Sequence, residues 1–270
     1  MEDHKMEVGI SHLIAARKPL KEFFKESADA GYEVVELCIR REGELTIETS
    51  SESLKDIKKS ASGLGLSIDS VTHSHCTGNL LASGDPQQRS IEETRKGLEI
   101  AAELGAYCTL HTLGGLNPDL YYDAAYENGI QSLKALAPFA EKLSVAIAVE
   151  FVWNGFLFSP LEMRNFLREV NSDAVGFYFD PGNMAVFQYP QHWVRIVGPY
   201  IKMVHMKDWK GNALNGGWPA LLEGKVNFPV VMHELVKCGY NGPLISEVPA
   251  GDAPIDITAE SIRKIIQMVK

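Results

Sequence analysis

Four apolar stretches in the second half of this 270-residue chain each deliver a metal-competent side chain as they end. VAIAVEF reaches Glu150, VGFYFD reaches Asp180, IKMVHMKD carries His205, and PLISEVP reaches Glu247. Apolar runs of this length, bounded by turn residues, are the pattern of strands buried on both faces, as in a parallel sheet. When such strands alternate with helices and close into a barrel, their C-terminal ends converge on one mouth. Three carboxylates and one imidazole meeting there would form a divalent-cation site. Hard oxygen ligands with a single imidazole suit Mn²⁺, Mg²⁺ or Co²⁺ and also accept Zn²⁺. A helix cap or a salt bridge explains one such carboxylate equally well, but not four ligands on consecutive strand ends.

The rest of the chain keeps the same beat. Hydrophobic spacing predicts strands over 8–13, 34–39, 68–73, 107–111, 145–151, 175–180, 201–208 and 244–248. It predicts helices over 20–30, 54–64, 85–104, 120–143, 159–170, 191–197, 227–238 and 255–269, with Gly31 and Gly239 placed to stop two of them. Pro138 should kink or split the fourth helix. About eight βα units imply a (β/α)8 TIM barrel of class α/β, one domain over 1–270. An open doubly wound sheet lacks support, because no strand is followed by GxGxxG. The segment 210–225 has no clear period and holds Gly211, Gly216, Gly217, Trp218 and Pro219, the composition of a lid or pocket wall.

Composition narrows the partners. A formal charge of −9 argues against nucleic acid, which usually demands a basic face. No apolar run approaches the roughly 18 residues that span a bilayer, and MEDHKMEVG lacks the pattern of an export signal. Cys38, Cys76, Cys108 and Cys238 are far apart without a CxxC pair, so free thiols and a cytoplasmic location are expected. A homo-oligomer is compatible with all of this.

The segments AVEF, FDPGN, HMKD and SEVP, in that order on the last four strands, resemble the sugar phosphate isomerase/epimerase superfamily, the xylose-isomerase-like barrels. Similar members include ketose 3-epimerases, hydroxypyruvate isomerases, and inosose isomerases and dehydratases. The resemblance spans nearly the whole chain. It implies one divalent metal, usually Mn²⁺, on Glu150, Asp180, His205 and Glu247, with the two glutamates as the acid/base pair. It also implies a small sugar-like carbonyl substrate. Elementary chemistry agrees: moving a proton beside a carbonyl needs a base on each face of the carbon and an electrophile on the oxygen. The expected activity is therefore isomerisation or epimerisation, with a dehydratase on the same site as the alternative. A non-catalytic sugar-binding barrel is the reading from a different class.

Endonuclease-IV-like nucleases share the barrel and these four ligands. They add a histidine three residues after the strand-six aspartate and an Asp-x-His pair after strand seven. This chain has Asn183 at the first place, and 210–225 contains neither histidine nor aspartate. Asn183 also departs from the ketose 3-epimerases, whose matching position is usually a histidine touching the substrate. Lys207, two residues past His205, shares its side of the strand and is expected to reach a substrate oxygen. His75, His111 and Glu36, at or near the ends of strands three, four and two, are expected to line the mouth, as is Trp153 as a stacking wall. Asp208 is expected to orient His205 or cap the next loop. His4, His12, His192 and His233 are assigned no role.

Overall fold

The computed structural model describes residues 6–15, 18–73, 75–249 and 253–269; His4 and the start of the chain read for an export signal lie outside them. Eight parallel strands close into a barrel: β1 (Val8–Ser11), β2 (Val34–Cys38), β3 (Ser67–Thr72), β4 (Cys108–His111), β5 (Ala146–Glu150), β6 (Val175–Phe179), β7 (Ile201–Met206) and β10 (Leu244–Ser246). Each barrel strand pairs with its neighbours in sequence, and β10 closes on β1 in the register Val8 to Leu244. The helices α1 (Leu20–Asp29), α2 (Ser51–Ser62), α3 (Asp85–Leu104), α4 (Tyr122–Leu143), α5 (Pro160–Val170), α7 (Pro190–Val197), α8 (Phe228–Lys237) and α9 (Ile255–Gln267) follow the strands in turn. A short helix α6 (Pro181–Ala185) is inserted directly after β6.

Alternation along the strands sorts side chains into two cores. Val35, Leu37 and Ile39 of the second strand region, and Phe177 and Phe179 of β6, face outward into the core beneath the helices. Cys108, Leu110, Ala148, Tyr178, Met203 and Ile245 fill the barrel interior as a separate cluster. Side-chain caps open α5 and α8. Ser159 caps α5 by accepting from Glu162 N at 3.3 Å, and Asn227 caps α8 by accepting from Val230 N at 3.3 Å. All four cysteines are free.

Two expectations are corrected. Pro138 does not split α4, which runs unbroken from Tyr122 to Leu143. Pro138 lies on the exposed side, so the carbonyl it frees is available to water, while Leu133, Leu136, Ala137 and Ala140 hold the opposite face in the core. The aperiodic segment 210–225 contains a two-stranded antiparallel hairpin, β8 (Lys210–Asn212) with β9 (Asn215–Gly217). Its six strand residues are all exposed, so no buried face wrote an alternating pattern into the sequence.

Asp208, fully buried at the end of β7, anchors that excursion to the barrel. Its carboxylate accepts from Trp209 N at 2.8 Å, Gly224 N at 2.8 Å and Val226 N at 3.1 Å. Hydrogen bonds to a charged acceptor contribute about 1.5–3 kcal/mol each. Asp208→Ala should therefore lower Tm by about 10 °C or more, since about 1 kcal/mol moves a chain of this size by roughly 2–4 °C. Limited proteolysis of the variant should cut first within 210–225; a melt and a cleavage pattern like the parent's would show that Asp208 does not pin the loop.

Candidate metal centre and substrate pocket

The interior cluster is the floor of the site. Ala148, Tyr178, Met203 and Ile245 point into the barrel, so Glu150, Asp180, His205 and Glu247, two residues further along, point the same way one layer nearer the mouth. One ligand atom from each of these four lies within 4.8 Å of all the others, the one such grouping found among the described residues. Asp180 is split between two tasks. Its Oδ1 caps α6, accepting from Gly182 N at 2.7 Å and Asn183 N at 3.1 Å, and its Oδ2 lies 2.9 Å from Lys207 Nζ.

His205 shows how the cluster is prepared. Its Nε2 lies 2.9 Å from Glu36 Oε1. Glu36 is itself held by Ser11 Oγ at 2.6 Å, Ser70 Oγ at 2.7 Å and Tyr178 OH at 2.6 Å. With Nε2 engaged, Nδ1 faces Glu150 Oε1 at 3.5 Å and Glu247 Oε2 at 3.8 Å and makes no hydrogen bond. A buried imidazole nitrogen aimed without a partner at two carboxylates fits a cation ligand, and the carboxylate behind it is the usual device for orienting a metal-binding histidine. Ser11, Ser70 and Tyr178 were not singled out from the sequence. Their signal is parity, since Tyr178 stands two residues before Asp180.

Burial and the charges packed around each group set the titration behaviour. Burial pushes the Glu150 carboxyl up to about 7, with Glu247 adding to the rise and His205 opposing it. Asp180 is raised by burial, against the pull of Lys207. Burial works on Glu247 too, yet the Lys207 ammonium and His205 outweigh it and hold that carboxyl below its ordinary value. Lys207 is raised despite burial because Asp180, Glu247 and Glu150 surround it. It contacts Glu247 Oε2 directly, and its stem passes over Gly182, where an added Cβ would come within 2.8 Å of Lys207 Cβ.

Above the cluster opens a cavity of 490 Å³, walled by Glu150, Glu247, Asn183 and Lys207 on its polar side and by Leu13, Ile14, Trp153 and Trp218 on its apolar side. Trp153 stacks on Trp218 at 5.0 Å between centroids, and Lys207 Nζ sits 4.9 Å from the Trp218 ring. Trp218 thus makes the segment 210–225 a pocket wall. Asn183 donates from Nδ2 to Glu150 Oε1 and to Phe151 O, both at 3.2 Å.

Three residues expected at the mouth are placed differently. Glu36 is fully buried below the four-residue cluster, with both oxygens engaged, and does not line the 490 Å³ cavity. It lies one layer deeper than a mouth residue because β2 runs on beyond it to Cys38. His111 has the parity opposite to Cys108 and Leu110, so it points out of the barrel toward α3. There it lies 3.3 Å from Thr94 Oγ1 and packs edge-on against His73. Burial alone pushes its imidazole down to about 4. His75 is exposed just past β3, outside the wall of the 490 Å³ cavity.

The fold has known counterparts. It superposes on a D-tagatose 3-epimerase-like protein with a TM-score of 0.82, at 20% identity over 98% of each chain. An L-ribulose 3-epimerase matches with a TM-score of 0.80 at 16% identity, over 97% of this chain and 94% of that one. In sequence, the chain is 23% identical over 251 residues to an uncharacterized protein of Methanocaldococcus jannaschii, covering 90% of this chain and 83% of the relative. The family described as xylose isomerase-like TIM barrel matches residues 24–268, and this chain belongs to it.

Proposed function

We propose that this protein is a divalent-metal-dependent isomerase or epimerase of a sugar or related polyhydroxy carbonyl compound. The observation that carries the reading is the pairing of Glu150 and Glu247 within one four-ligand cluster at the floor of a half-polar, half-aromatic cavity. Sugar-epimerase neighbours of the same fold support it. Glu150, Asp180, His205 and Glu247 would hold the cation, with Mn²⁺ the best match to the donor set and Mg²⁺, Co²⁺ or Zn²⁺ as substitutes. A cation held there would supply a Lewis acid for the substrate's carbonyl oxygen.

The chain's own groups do the rest. Glu247, kept ionised by Lys207, is placed to take the proton from the carbon beside the carbonyl. Glu150, whose carboxyl is held near neutrality, returns a proton from the other side. Delivery to the opposite face inverts the centre, and delivery to the neighbouring carbon isomerises the sugar. Lys207 steadies a substrate oxygen, Asn183 holds Glu150 in place, and Trp153 with Trp218 offers an apolar face for the sugar to lie against. The unpaired cysteines fit a reducing, cytoplasmic setting.

Protein purified without chelator should carry one divalent ion per chain by elemental analysis, and Asp180→Ala or His205→Ala should lose it. No ion even after Mn²⁺ is supplied would end the proposal, and two or three ions would favour nuclease chemistry.

Glu36→Gln keeps the volume but removes the charge behind His205. It should weaken Mn²⁺ binding by about 10–100-fold while the barrel remains folded. Calorimetry giving the parent's affinity would show that Glu36 does not prepare the ligand.

In heavy water, turnover should place solvent deuterium at the carbon beside the carbonyl. Glu247→Gln should keep much of the metal affinity while activity falls by about 10² to 10⁴. Product free of deuterium would indicate hydride transfer between carbons and leave both glutamates as ligands alone, and product lighter by one water would identify a dehydratase.

A further inference from the structure

We propose that the cavity beside the mouth is an oxyanion subsite, in which Arg40 holds a phosphate or carboxylate group of the substrate whose carbonyl end lies at the Glu150–Glu247 cluster. The first half of this statement stands on the geometry of Arg40, and the second rests on the isomerase reading above.

Arg40 is placed by the alternation of β2. Val35, Leu37 and Ile39 pack outward under the helices, while Glu36 faces inward onto His205. Cys38 and Arg40 follow Glu36 on the same side, each one layer nearer the mouth. Arg40 lines a cavity of 690 Å³ with His12, Lys18, Arg41, Glu42 and Glu44. The guanidinium Nε and Nη2 of Arg40 are buried and make no hydrogen bond, and among the described residues neither Arg40 nor Arg41 forms an ion pair.

Nε and Nη2 form the side-on fork of the guanidinium, two parallel donors that match two oxygens of a carboxylate or phosphate. A buried fork of this kind is costly without an acceptor. The carboxylates of the wall do not supply one. Glu44 accepts from Leu20 N at 2.7 Å, and neither Glu44 nor Glu42 reaches the fork. Lys18 is tied to Glu26 and Glu22, so Arg40 and Arg41 are the cations left uncommitted on this wall.

At the backbone Arg40 and Glu247 stand about 16 Å apart: two strand spacings across, since only β1 separates β2 from β10, and four residues further along than Glu36, which the register sets level with Ser11 and Glu247. The two long side chains span much of that gap, which leaves room for a short sugar derivative between them. The segment after β1 walls both cavities, His12 on the basic side and Leu13 with Ile14 on the substrate side. His75, just past β3, is within electrostatic reach of both charges: partial burial lowers its imidazole first, the Arg40 cation lowers it further, and Glu247 opposes both. A carbonyl at the metal centre and an oxyanion at Arg40 would therefore be the two ends of one short polyhydroxy chain.

The test is a titration of the full chain with inorganic phosphate at low ionic strength, with and without Mn²⁺. One phosphate should bind per chain in the metal-free protein, and Arg40→Met should weaken it by at least about tenfold, with Arg40→Lys between the two. Should Arg40→Met fail to fold by circular dichroism, the parent protein still decides. With Mn²⁺ loaded it should bind D-fructose 6-phosphate at least about tenfold more tightly than either D-fructose or inorganic phosphate. No phosphate binding by the parent, or full binding by folded Arg40→Met, overturns the subsite. Equal affinity for the sugar and its ester overturns the link to the substrate and leaves a site for free inorganic anions. Phosphate binding requires neither metal nor turnover, so a protein that binds phosphate through Arg40 yet never exchanges deuterium would sink the isomerase reading alone.

Discussion

Three carboxylates gathered at the end of a closed apolar barrel are the constraint around which the rest of the mouth is arranged. Burial alone would drive all three toward the neutral form. Lys207 is the cation that pairs with Glu247 and Asp180, while burial, with Glu247 adding to it, carries Glu150 up to about 7. A divalent ion in the cluster is the natural counterweight. Metal binding and stability should then be coupled, because an ion that binds the folded chain and not the unfolded one stabilises it by mass action. Gly182 belongs to the same arrangement, since any larger residue there would press on the Lys207 stem.

Beneath the carboxylates, the barrel solves a second problem with the same alternation. A histidine that must present Nδ1 upward needs something to hold Nε2 from below. That group has to be buried, charged and satisfied at once. Glu36 meets the demand because Ser11, Ser70 and Tyr178 come from β1, β3 and β6 to share its two oxygens. Four strands thus converge on one buried carboxylate. The register shift between β2 and β3, at Val35/Glu36, adds an extra residue on β3 next to that network and puts Ser70 opposite Glu36.

The sequence made the four clustered residues legible for a simple reason: each came at or near the end of an apolar run long enough to be a buried strand, and each shared the parity of an inward-facing residue two places before it. The strands and the closed topology followed from the same periodicities. Residues whose role depends on depth or handedness within a strand were harder to place. Glu36 is inward but one layer too deep to meet a substrate. His111 is at the right height, but odd parity turns it out toward α3. The hairpin at 210–217 was invisible because its side chains are all in solvent, and a strand with no buried face leaves no alternating pattern to read.

Asn183 brings these lines together. From the sequence it was a departure, an amide where ketose 3-epimerases usually carry a histidine, and so a mark against a particular substrate. In the structure it sits on the first turn after Asp180, buried, with its Nδ2 donating to Glu150 Oε1 and to Phe151 O. An amide has a fixed donor and no proton to lose near neutrality. It therefore steadies the oxygen of the one glutamate whose titration is least settled, without adding a further ionisable group to a cluster that already holds too many like charges. A histidine at 183 would bring a second group titrating in the same range as Glu150. With the amide in its place, the protonation of Glu150 answers to its burial, to Glu247, Asp180 and His205, and to whatever cation the cluster holds.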